Sequence, residues 1–146
     1  MCGSGSSSAC EKRILLVDDQ PRAIEGLKRD LEAAGFSVVC VRTLNQAWRE
    51  IENSRDQRPF DLLITDLYLP FDLSELESYR SDIKEGPFNQ GEMLAAYLQG
   101  KGIPYFFYTS DESFYRGNEK HKVFMKSESR EALLEKIKET VWERAD

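Results

Sequence analysis

Four short apolar runs, each closed by a polar or charged residue, constrain this chain more than anything else in it. Ile14-Leu15-Leu16-Val17 leads to Asp18 and Asp19, and Leu62-Leu63-Ile64-Thr65 leads to Asp66. Tyr105-Phe106-Phe107-Tyr108 leads to Thr109, and Val123-Phe124-Met125 leads to Lys126. Runs this short, apolar throughout rather than alternating, predict strands covered on both faces. Their ends then carry three carboxylates, a hydroxyl and an ammonium.

The intervening segments read as helices. Pro21 suits a first helical position, and Ile24, Leu27, Leu31 and Ala34 follow at helical spacing before Gly35. Leu44, Ala47, Trp48 and Ile51 mark a second helix, and Met93, Leu94, Tyr97 and Leu98 a third that starts near Gly91 and stops at Gly100 and Gly102. Leu133, Leu134, Ile137, Val141 and Trp142 give a last one from about Ser129. Strands are expected at 13–18, 37–41, 61–65, 105–108 and 123–125. Strand–helix alternation with apolar strands means an α/β domain with a parallel sheet covered by helices on both faces. Five strands with about five helices fit a flavodoxin-like doubly wound sheet of order 2-1-3-4-5, whose ligands bind beyond the C-terminal strand ends.

A chain of 146 residues supports one domain, expected over 12–146. The Gly/Ser-rich stretch 1–11 reads as a flexible tail or cloning remnant. Residues 71–90 separate Pro70 from the helix near Gly91 and carry five acids against two bases. Such a connection is long for a compact domain, and Leu73, Leu76 and Ile83 hint at a short amphipathic helix within it. A net charge of −6 argues against nucleic acid as a partner. No apolar stretch suits a membrane span, and no signal-peptide core precedes the first strand, so a cytoplasmic location is expected. Cys2, Cys10 and Cys40 fit no metal spacing, and Cys40 reads as a small buried hydrophobe. His121 sits in a charged stretch and reads as solvated.

Three carboxylates at one sheet edge repel one another unless a cation lies between them, and an all-oxygen site suits Mg²⁺. A carboxylate can also attack a phosphoryl donor, giving an acyl phosphate. That reaction needs positioning and neutralisation of phosphoryl charge, which a lysine, a hydroxyl and a divalent cation supply.

With these motifs in this order, the chain resembles the receiver domains of two-component response regulators over residues 12–144. The resemblance rests on Ile14-Leu15-Leu16-Val17-Asp18-Asp19, Asp61-Leu62-Leu63-Ile64-Thr65-Asp66-Leu67-Tyr68-Leu69-Pro70, Tyr108-Thr109-Ser110 and Phe124-Met125-Lys126. It implies that Asp66 is the phosphoacceptor. Asp19, Asp66 and the backbone carbonyl of Tyr68 would bind Mg²⁺ directly, and Asp18 through water. Lys126 would pair with phosphoryl oxygens, and Thr109 would move to bind them. The implied partners are a histidine kinase or phosphotransfer protein and a downstream protein target. Turnover of an external substrate is not expected.

The chain departs from the family pattern in four places. An insertion of roughly seventeen residues precedes Gly91, taken as the glycine that follows the phosphoacceptor. Val123 stands where an aromatic is usual, and Phe124 should face the other side of the sheet. Ser127 replaces a proline, so a trans peptide is expected, since cis without proline costs about 2.5–4 kcal/mol. The short interval from Thr109 to Lys126 should shrink or remove the fourth helix. Two other functions fit less well. One is a receiver-like interaction module independent of phosphorylation. The other is a phosphatase of the haloacid dehalogenase type, which needs a second Asp where Tyr68 stands.

Overall fold

The computed structural model describes residues 12–53, 59–70, 90–117 and 122–143. The tail 1–11, the stripe through Leu73, Leu76 and Ile83, and His121 lie outside them. Five strands, β1 (Arg13–Val17), β2 (Ser37–Val41), β3 (Leu62–Thr65), β4 (Tyr105–Thr109) and β5 (Val123–Met125), form one sheet of order β2-β1-β3-β4-β5. Every neighbouring pair is parallel. The helices are α1 (Pro21–Ala33), α2 (Leu44–Glu52), α3 (Gln90–Gln99), α4 (Glu112–Arg116) and α5 (Arg130–Lys138), the last continuing as a π turn over Glu139–Glu143. This is the expected flavodoxin-like architecture.

Side chains alternate across each strand, so the sheet divides the apolar residues into two cores. Leu15, Val17, Leu63, Phe107 and Val123 face α2 and α3, meeting Trp48, Ile51, Leu94 and Leu98. Ile14, Leu16, Leu62, Ile64 and Phe106 face α1 and α5, meeting Leu27, Leu31, Leu133 and Ile137. Each such side chain contributes about 1.5–3 kcal/mol on burial, which is why the apolar runs and helical stripes, rather than helix propensity, hold the fold. Val123 is buried in the first core, while Phe124 packs edge-on to Phe106 at 5.6 Å on the other face. The two therefore point oppositely, as expected.

Local chemistry sets the boundaries. β3 begins at Leu62 rather than Asp61, because the Asp61 carboxylate accepts from the Arg13 N–H at 2.8 Å. Thr43 starts α2 with a reciprocal cap: its hydroxyl accepts from the Gln46 N–H at 3.0 Å, and the Gln46 side chain accepts from the Thr43 N–H at 3.2 Å. The Leu44 N–H then donates to the Pro70 carbonyl at 3.0 Å, tying the loop beyond β3 to α2. The fourth helix is only five residues long, in keeping with the short interval before Lys126. No described peptide bond is cis. Cys40 departs from its expectation. It is only half-buried, because β2 is an edge strand and α1 covers one side of it. No helix among the described residues is long and apolar enough to cross a membrane.

Candidate functional site

The sheet register brings the ends of β1 and β3 level, with β4 and β5 running two residues further. Val17 lies beside Thr65, Thr65 beside Phe107, and Thr109 beside Met125. Backbone hydrogen bonding continues one residue past the strands: Asp18 N–H to the Val41 carbonyl (3.0 Å), Asp66 N–H to Val17 (3.0 Å) and Lys126 N–H to Thr109 (2.9 Å). The residues that carry charge are thus held by the sheet rather than by free loops, which keeps their side chains convergent.

Lys126 is the centre of the arrangement. Its Nζ lies 2.6 Å from Asp18 Oδ2 and 3.0 Å from Asp66 Oδ2, with side-chain exposures of 9%, 1% and 14% for Lys126, Asp18 and Asp66. Asp66 Oδ1 accepts from the Leu67 N–H at 2.8 Å, and Asp18 Oδ1 from the Gln20 N–H at 2.9 Å. Asp18 Oδ2 is the exception. It is in ion-pair contact with the ammonium, yet it is buried and accepts no aligned hydrogen bond.

That orphaned oxygen tests whether the site fits a cation. Asp18, Asp19 and Asp66 each offer a carboxylate oxygen, all within 4.8 Å of one another, against one ammonium. An excess of negative charge, an all-oxygen donor set and an unsatisfied buried oxygen fit a hard divalent ion such as Mg²⁺. The Tyr68 carbonyl remains an expectation of the resemblance. The Tyr68 side chain points outward, 59% exposed, and its hydroxyl donates to Asp111 Oδ2 at 3.3 Å.

Thr109 is fully buried, and its hydroxyl accepts from the Asp111 N–H at 3.0 Å. Among the described residues it makes no hydrogen bond to Asp66. Thr109 is therefore at the rim but turned to its own loop. Asp111 caps α4, its Oδ1 accepting from the Phe114 N–H at 3.1 Å. Gly91 holds the other side of the site: its N–H donates to the Leu67 carbonyl at 2.8 Å, so the glycine beyond the insertion does return to the Asp66 loop.

Burial raises the Asp18 carboxyl above its usual 3.8, outweighing the close Lys126 ammonium and the hydrogen bond from Gln20. For Lys126, burial acts downward, but the close carboxylates of Asp18 and Asp66 outweigh it and the ammonium is raised above 10.5. Lys126 stays charged at neutral pH, and its contribution to stability is lost only as pH rises through that elevated value. Asp18 behaves in the opposite sense to an ordinary paired acid. With divalent cations chelated, its contribution is fully present below 3.8 and is lost as pH rises through the raised value. Asp18→Asn, which can still accept from Gln20, is expected to gain stability relative to wild type between acidic and neutral buffer. Urea denaturation in chelator at both pH values measures this, and a wild type that gains on the variant as pH rises would contradict it.

No protein-family model matches the chain. The response regulator GtcR of Aneurinibacillus migulanus is 39% identical over 59 residues, which is 40% of this chain and 23% of that protein. The chain thus matches less than a quarter of that relative's length. A CheY-like receiver domain protein of Methanospirillum hungatei JF-1 superposes with a TM-score of 0.64 at 26% identity, over 92% of this chain and 97% of its own. The response regulator TrrA of Thermotoga maritima, solved in complex with Mg²⁺–BeF, matches in fold at 0.62 and 23% identity, over 88% of this chain and 98% of its own. With its sheet order and the rim placement of Asp18, Asp19, Asp66, Thr109 and Lys126, the chain has the fold of the CheY-like receiver domains of response regulators and is similar to them at its acidic rim.

Proposed function

We propose that this chain accepts a phosphoryl group on Asp66 from a histidine kinase or phosphotransfer protein, with Mg²⁺, and passes the change on by protein contact. The observation that carries the proposal is the Asp66 carboxylate held at 3.0 Å from a charged lysine, beside two further acids, at the open rim of the sheet.

A carboxylate oxygen of Asp66 attacks phosphorus in line with the donor's P–N bond. As the O–P bond forms, the P–N bond breaks and its electron pair stays on the donor imidazole, which takes a proton from solvent. An aspartyl phosphate and a free histidine result. The ammonium of Lys126 balances the phosphoryl oxygens, and its raised proton affinity keeps that charge in place throughout. Asp18 and Asp19 complete the acidic cradle. Mg²⁺ bound there supplies the remaining charge neutralisation, a role supported by the Mg²⁺–BeF complex of the T. maritima regulator.

A small phosphodonor such as acetyl phosphate, labelled on phosphorus, tests this. Incorporation is expected to require Mg²⁺, to stop with chelator, and to be released by hydroxylamine. A protein that takes up no label at saturating donor and Mg²⁺ would overturn the proposal and favour an interaction module.

A further inference from the structure

Among the described residues the Thr109 hydroxyl makes no hydrogen bond to the reacting carboxylate. It is engaged by the backbone N–H of Asp111, and Asp111 is engaged in turn. The Asp111 Oδ1 caps the first turn of α4 at Phe114, and Oδ2 receives the Tyr68 hydroxyl at 3.3 Å. The second contact is long for an O–H···O bond and is the weaker tie. The Phe114 ring sits edge-on to Phe107 at 5.3 Å, so the capped turn is anchored on the sheet. Tyr115, next in α4, lines a cavity of about 400 Å³ with Val123, Phe124 and Met125. Val123 offers Thr109 no polar or aromatic group to couple to.

From this geometry we infer that Asp111 is the positioning residue of this site: its capped conformation aims its N–H at Thr109 and so holds the hydroxyl in its resting rotamer. This rests on the phosphorylation reading above for its consequence. When Thr109 turns to a phosphoryl group on Asp66, the Asp111 N–H loses its acceptor, and the start of α4 loosens with it. The change then leaves the site through the α4 cap rather than through a strand-five aromatic. The cap satisfies one of the free N–H groups in the first turn of this five-residue helix, so losing it is felt in that turn.

Two arms of NMR on the whole chain test this. In the unphosphorylated protein, three-bond couplings of the Thr109 methyl report its rotamer. A single rotamer is expected in wild type, averaging in Asp111→Ala, and a single rotamer again in Asp111→Asn, which can cap in the same way. Tyr68→Phe should leave it nearly unchanged. In the second arm, acetyl phosphate and Mg²⁺ are added. The Phe114 amide is expected to shift in wild type and, compared at equal label on Asp66, to lose that response in Thr109→Ala. An unaltered Thr109 rotamer in Asp111→Ala, or averaging that Asp111→Asn fails to reverse, overturns the inference. So does a Phe114 response that survives Thr109→Ala. Absence of label on wild-type Asp66 defeats the function proposed above, while the first arm still decides the role of Asp111.

Discussion

Asp66→Asn is expected to reduce phosphate incorporation to background while the folded protein persists. The carboxamide has no anionic oxygen to attack phosphorus, so the covalent step has no nucleophile. Its shape is nearly unchanged, and its carbonyl can still accept from the Leu67 N–H that now meets Asp66 Oδ1 at 2.8 Å. The cost lies on the other side, where an NH₂ would face the Lys126 ammonium. That loss is limited, because Lys126 keeps Asp18 at 2.6 Å and one of three mutually repelling acids has gone. We therefore expect stability within about 1 kcal/mol of wild type without divalent cations. Stabilisation by added Mg²⁺ should fall, since one of the three donors is neutral. Label from acetyl phosphate, with urea denaturation in parallel, separates the two effects. Label that persists in the variant would place the acceptor at another residue, and an unfolded variant would show that the Asp66–Lys126 pair is structural.

The parts of this site visible in the sequence are those that depend on strand ends. Asp18, Asp66, Thr109 and Lys126 each follow a continuous apolar run, and in a doubly wound parallel sheet such run ends lie along one edge. The parallel sheet followed from alternation with helices, its order from the fit of five strands to a flavodoxin-like domain, and the opposed directions of Val123 and Phe124 from the two-residue strand period. What the sequence did not reveal depends on contacts between distant segments. The burial of Asp18 Oδ2 against Lys126 joins residues more than a hundred positions apart, which no local pattern encodes. The Asp111–Thr109 bond depends on how β4 turns into a very short helix. Cys40 looked like core because its neighbours are β-branched, yet an edge strand leaves it half-covered. Gly91 was visible as a position, but the reason for a glycine there was not.

That reason predicts a large effect for Gly91→Ala. A Cβ at this position would lie 2.1 Å from the Asp66 carbonyl oxygen and 2.9 Å from Leu67 Cα. Both are backbone atoms, so no side chain can swing aside to relieve the clash. Either α3 or the peptide following Asp66 must move by about 1 Å to restore an ordinary contact. The helix cannot yield cheaply, since Leu94 and Leu98 anchor it in the core with no exposed surface. Overpacking of this kind costs about 1–3 kcal/mol. A displacement of that size at the nucleophile's own backbone is expected to slow phosphate incorporation by about 100-fold. Gly26→Ala supplies the contrast. Its Cβ would meet the Arg130 guanidinium at 2.9 Å, the far end of a flexible side chain now paired with Asp30 at 2.8 Å. Alanine also favours a helix over glycine by up to about 1 kcal/mol, so that variant should be neutral or stabilised and should phosphorylate normally. Urea midpoints and initial labelling rates of the two variants decide the matter. A Gly91→Ala protein with wild-type midpoint and rate would mean that the Asp66 loop is not held by α3, and that its geometry is set by the sheet alone.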